Sequence, residues 1–154
     1  MNLYFRLLRI LFTAWRAPRL ADPFQVRELS FRVWPFDIDF NMHLNNARYL
    51  SFMDLGRFDL MTRTGLLKIA FQRKWIPVVG HIDIKFIKPI PPFAKIILRT
   101  EIHGVGEKYI DIRHTFFYND HPAAIAHVKG AVIHKGHGRL DPQFVLDELQ
   151  KISS

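Results

Sequence analysis

The sequence predicts an α+β domain in which one long central helix is wrapped by a curved antiparallel sheet of about five to six strands. Three observations carry this reading. One long helical pattern, from about Asn46 to Thr62, follows a single alternating segment at 25–34. Four or more strand patterns come after it. The breaks between those strands are short, which makes neighbours mostly antiparallel. A long helix with a broad apolar face needs a sheet to cover it.

The elements are justified in order. Leu3, Tyr4, Leu7, Leu8, Leu11, Phe12 and Trp15 recur at helical spacing, with Arg6, Arg9 and Arg16 off that stripe. Residues 1–18 therefore form an amphipathic helix, and residues 25–152 a single domain. The apolar run is too short and too interrupted by Arg to span a bilayer, and it is a poor signal peptide. It either lies in a membrane interface with Arg on its polar face or packs on the domain or a partner subunit. Two prolines mark 17–24 as a linker.

Residues 25–34 alternate through Val26, Leu29, Phe31 and Val33 and end at Pro35. The long helix has Asn45 or Asn46 as its N-cap, Tyr49, Phe52, Met53, Leu60 and Met61 on its apolar face, and Gly65 after its last turn. A short helical turn is expected at Leu66–Phe71. Strands follow at Trp75–Val79, His81–Lys88, Lys95–His103, Lys108–Tyr118 and Ala123–Lys135, with a hairpin turn at Asn119–Pro122. Gly136 and Gly138 close the sheet. A last helix starts at Asp141–Pro142 and uses Phe144, Leu146 and Leu149 as its apolar members.

The 154 residues are 49% hydrophobic, with fourteen Phe, so a substantial core is available. There is no cysteine, which excludes disulfides, thiolate catalysis and Cys-based zinc sites. The net charge of +8 suits an anionic partner: a membrane surface, a phosphorylated substrate or an acidic carrier protein. The cations are dispersed rather than blocked, which disfavours nucleic acid. Eight histidines show no recognised metal-ligand spacing, so no metal and no cofactor is expected. Neither G-x-S-x-G nor a phosphate-binding P-loop pattern is present.

Ahead of the long helix lies a knot of polar side chains: Asp37, Asp39, Asn41, His43, Asn45 and Asn46. Such density is costly in a folded protein unless the groups pair or do chemistry. The pattern Asp39-x-Asn41-x-His43-x-Asn45-Asn46-x-x-Tyr49, followed by Asp54 and Arg57 in the helix, resembles the hotdog-fold acyl thioesterases. It is similar to the 4-hydroxybenzoyl-CoA thioesterase-like group, and the His43–Tyr49 run HLNNARY marks a D-x-N-x-H-x-N-N-A-R-Y subfamily. Met42 stands where many bacterial relatives carry Gly.

The resemblance implies a hotdog fold and hydrolysis of an acyl-CoA or acyl-carrier-protein thioester to acid and thiol. It also implies a homodimer or dimer of dimers with the site at the subunit interface, and a cytoplasmic protein, peripheral on the membrane if residues 1–17 attach it. Asp39, Asn41 and His43 are the expected catalytic residues; Asn45, Asn46 and Tyr49 are the expected substrate-binding ones. Asp39 acts as base or nucleophile, or caps a turn. Asn41 orients water or serves as a turn residue. His43 is an acid or base, or a structural histidine. The helix N-terminus near Asn45–Ala47 offers N–H groups to the thioester oxygen. Asn45 and Asn46 are also read as caps, Tyr49 as pocket wall, and Asp54 with Arg57 as a helical ion pair. A hotdog hydratase is disfavoured, because such relatives carry D-x-N-P-x-H and His43 is only four positions after Asp39. A non-catalytic acyl-binding or membrane-surface module is the remaining alternative.

Overall fold

The computed structural model describes residues 2–153, so Met1 of the expected N-terminal segment lies outside them. In chain order the elements are α1 (Asn2–Arg16), β1 (Arg27–Arg32), a 3-10 turn (Pro35–Asp37), α2 (Asn46–Thr64), α3 (Leu66–Arg73), β2 (Trp75–Phe86), β3 (Lys95–Val105), β4 (Ile110–Tyr118), β5 (His121–His134), β6 (Gly138–Arg139) and α4 (Pro142–Ser153). All strand pairings are antiparallel, in the order β1-β3-β4-β5-β2, with the two-residue β6 beside β5.

The expected strands at Trp75–Val79 and His81–Lys88 are one strand, β2, with a bulge between Val79 and His81. Gly80 sits at that bulge because a Cβ there would meet the Tyr109 ring at 2.9 Å. Further register shifts leave His103 of β3 and Ala123 of β5 as extra residues, which bends those two strands. Asn119 and Asp120 join β4 to β5 with φ of 50° and 62°, the left-handed pair that a two-residue hairpin needs. β1 and β2 are the two edges of the main sheet. Most of β2 is exposed, from Val79 through Asp83 without interruption.

α2 starts where Asn45 accepts a hydrogen bond from the Ala47 N–H and stops at Gly65, which takes φ 84°. Tyr49, Phe52, Met53 and Leu55 are buried and form the core with Phe31, Ile96, Leu98 and Phe116. Gly56 brings the helix close to β3 and β4: a Cβ there would lie 2.5 Å from Thr100 Oγ1. Beside it, Arg57 is buried with His114 and Thr100. Arg57 Nη1 is 3.3 Å from His114 Nε2, and His114 Nδ1 is 3.0 Å from Thr100 Oγ1. Burial, reinforced by the Arg57 charge, lowers the His114 pKa to about 3, so the ring is neutral. A neutral ring that accepts from Arg57 must carry its proton on Nδ1 and donate it to Thr100. Arg57 also pairs with Asp54, the helical ion pair expected from the i, i+3 spacing.

Two expectations are corrected. The buried face of α4 is Val145, Leu146 and Leu149, while Phe144 is half-exposed with its ring 6.1 Å from that of Trp75. In α1 the expected apolar stripe is split: Leu3 and Leu7 pack against the core, and Arg9 and Arg16 stay exposed as expected. Arg6, expected on the polar face, is buried with Ile10 and Ala14, while Tyr4, Phe5, Leu8, Phe12 and Trp15 point outward. Arg6 Nη2 and Nη1 donate to Asp37 at 2.8 and 3.1 Å, and the guanidinium also lies 4.7 Å from the Phe52 ring centre. The helix packs along α2, and Leu20 N–H donates to Arg63 O just beyond its end.

Candidate active site

The polar knot divides into an anchor and a displayed turn. Asp37 is the anchor. It is completely buried, and its carboxylate accepts from Arg6 and from the Trp34 N–H at 2.9 Å, with Arg48 Nε 3.6 Å away. Its carbonyl accepts from the Asn45 N–H at 2.8 Å, which ties the anchor to the start of α2. Between these fixed points the chain makes a short loop closed by Ile38 bridging Leu44.

Asp39 to His43 form the tip. The Asp39 N–H donates to His43 O at 2.9 Å, and Asp39 Oδ1 accepts from the Asn41 N–H at 2.9 Å. Met42 takes φ 60°, left-handed backbone that a glycine adopts at less cost. Asp39 and His43 are half-buried; Asn41 and the wholly exposed Phe40 lie outside them.

Asp39, Asn41, His43, Asn46 and Tyr49 line one cleft of about 300 Å³. Asn45 does not line it, because its side chain caps the helix. The far wall was not foreseen: Phe86, Ile87, Lys88 and Pro89 at the end of β2 complete the cleft. Ile87 and Lys88 are brought there by their N–H groups donating to Ala123 O at 2.9 and 3.1 Å. Tyr49 packs edge-on against Phe86 and Phe116, at 5.1 and 4.9 Å, and burial pushes its pKa up to about 12. Its phenol stays protonated and able to donate. The expected run of free N–H groups is narrower than the sequence implied. Asn45 N–H is held by Asp37 O and Ala47 N–H by Asn45 Oδ1. Asn46, first in the helix, has no acceptor within it.

A second hollow, a largely apolar cavity of about 220 Å³, lies at the other end of α2. Leu60, Met61, Ile112, Val132 and Leu149 wall it, Pro77 to Val79 form its rim on β2, and Asp54 and Arg57 supply its polar edge. Along β2 the rim is about 23 Å from Phe86, so within one chain the cavity does not reach Asp39. Among the described residues no group of three metal-ligating side chains comes together.

The family model of the thioesterase-like superfamily matches residues 33–149. Protein THEM6 of Danio rerio is 38% identical over 85 residues, which is 55% of this chain and 42% of that protein, so the chain spans less than half its length. The probable thioesterase YbaW of Escherichia coli superimposes with a TM-score of 0.74 at 19% identity, covering 82% of this chain and 98% of that one. A Staphylococcus aureus protein, SAV2348, solved in complex with CoA, gives 0.70 at 14% identity, with 84% of each chain covered. These two likenesses are of fold, and they place the helix and its curved antiparallel sheet among hotdog structures. With the family match running from the end of β1 into α4, across the whole candidate cleft, the chain belongs to the thioesterase-like superfamily.

Proposed function

We propose that this chain hydrolyses the thioester of an acyl-CoA or acyl-carrier protein, with Asp39 as general base or nucleophile. The observation that carries the reading is the convergence of Asp39, Asn41, His43, Asn46 and Tyr49 on one cleft at the N-terminus of a long helix. As base, Asp39 takes a proton from water while the water oxygen attacks the thioester carbon. The carbonyl oxygen gathers negative charge, which the Asn46 N–H and the positive end of α2 stabilise. The C–S bond then breaks, the thiolate takes up the proton, and acid and thiol leave. As nucleophile, Asp39 displaces the thiolate to give an anhydride that water opens. His43 and Asn41 orient the water or the carboxylate. Lys88 at the rim suits an anionic carrier, and the relative solved with CoA supports a CoA thioester.

The reading includes a homodimer. β2 is a long exposed edge strand, and such edges pair readily. Two copies pairing antiparallel about an axis near Ile82 set Val78 of the partner beside Phe86. The partner's apolar cavity then opens toward the Asp39 cleft and takes the acyl chain. A dimer of dimers is compatible with the same pairing.

A second reading has an observation of its own: Asp39 Oδ1 already accepts from Asn41 N–H, so Asp39 serves the turn. The substitution Asp39→Asn separates the two, because Asn keeps the turn acceptor and loses the base. A panel of acyl-CoAs with a thiol reagent reads the result. Hydrolysis predicts a loss of at least ~100-fold in turnover with unchanged melting temperature. Near wild-type turnover would remove Asp39 from the chemistry, and acyl binding without thiol release from the wild type would make the chain a binding module.

A further inference from the structure

We propose that the outward face of α1 is a docking surface for an anionic lipid bilayer. On a helical projection Tyr4, Leu8, Leu11, Phe12 and Trp15, with Phe5, occupy an arc roughly 120° wide. Tyr4, Phe5, Leu8, Phe12 and Trp15 are 71%, 64%, 62%, 55% and 78% exposed. Together they present on the order of 600 Å² of apolar and aromatic surface, at or above the largest patch of an ordinary monomer. The helix does not need this face to hold its place. Its inward face is anchored by Ile10, Ala14 and the buried Arg6–Asp37 pair, and α1 sits on α2 and β1, where Arg9 Nη2 donates to Ser30 O at 3.3 Å.

Charge selects the occupant. Arg9 and Arg16 flank the arc on one side, with Arg16 over the Phe12 ring at 5.3 Å, and Arg19 follows the helix; all three are exposed. No acidic residue precedes Asp22. A second copy seated on this face brings the same arginines against one another, on a chain whose net charge is already +8. A bilayer carrying anionic headgroups accepts both the cations and the aromatic rings, which settle at the headgroup level. No helix among the described residues is long and apolar enough to cross a membrane, so the contact is with the surface. β1, beside α1, is the sheet edge opposite β2, so pairing of copies through β2 leaves the face open.

The test is co-sedimentation of the full chain with vesicles of phosphatidylcholine alone and with 30% phosphatidylglycerol, a composition of about one anionic lipid in three chosen to saturate the effect. Wild type is expected to bind the anionic vesicles at least about tenfold more strongly, and to be released by salt. Phe12→Glu with Trp15→Glu is expected to abolish binding while leaving far-ultraviolet circular dichroism unchanged. Arg9→Gln and Arg16→Gln should each weaken it about fivefold. Equal partitioning of wild type and the Glu variant, or equal binding to neutral and anionic vesicles, overturns the proposal. So does halving of the sedimenting mass by Phe12→Glu with Trp15→Glu, which assigns the face to a second copy. None of these readouts depends on turnover, so the inference stands or falls apart from the hydrolase reading.

Discussion

Three buried or half-buried side chains near α2 carry different tasks. Asp37 and Asp39 are two positions apart, yet Asp37 is sealed beneath Arg6 while Asp39 faces a cleft. His114 has a third task. It is fully buried and neutral, bridging Arg57 and Thr100. Its folded pKa of about 3 lies below its ordinary value of 6.5, so the unfolded chain binds more protons between those values. The stability tied to the neutral ring is complete above pH 6.5 and is lost as pH falls toward 3. The melting temperature should therefore fall on acidification across this window, less steeply in His114→Gln than in wild type. Equal slopes in the two proteins would show that the ring does not titrate between folded and unfolded states.

At the scale of elements, α1 and the cleft loop are one mechanical unit. Arg6 comes from the first helix, Asp37 from the loop, and Arg48 from the first turn of α2. Removing one partner of a buried pair leaves an uncompensated charge, so Arg6→Met should cost about 3 kcal/mol in denaturant unfolding. Arg6→Met combined with Asp37→Asn should recover much of that loss. If the double variant is no better than the single, the pair is not what holds the helix. The amphipathic character of α1 was legible in its spacing, but its orientation was not. Periodicity shows that a helix has two faces; it does not say which one finds a partner, and Arg6 finds its own 31 residues away. The caps of α2 were legible because Asn45 and Gly65 act through neighbours within a turn. The single long β2 reads as two strands in the sequence because the bulge at Gly80 interrupts the alternation of side chains.

For the whole molecule the question is why the apolar cavity and the Asp39 cleft lie at opposite ends of α2. Antiparallel pairing of two copies through β2 supplies a physical answer, and subunit complementation tests it. One subunit carries Asp39→Asn, and the other carries Ile112→Trp, which fills the cavity. Each homodimer should be inactive. The mixed dimer has one site with an intact Asp39 beside an intact cavity, and should recover about half of the wild-type turnover per dimer, since one of two sites is whole. No recovery, with mixed dimers shown to form, would place the acyl chain elsewhere.

The sequence by itself determined the long helix with its caps, the alternating strands, the tip from Asp39 to His43 and the resemblance to a thioesterase family. Each of these is written in residues a few positions apart, where capping, pleat and turn chemistry act. Only the tertiary structure decided that Arg6 turns inward, that Phe86 to Pro89 face Asp39, that Asn45 is committed to the helix, and that a buried histidine underlies Gly56. Those outcomes depend on which distant surfaces fill one another's space, and that selection is made by packing across the sheet rather than by any local pattern.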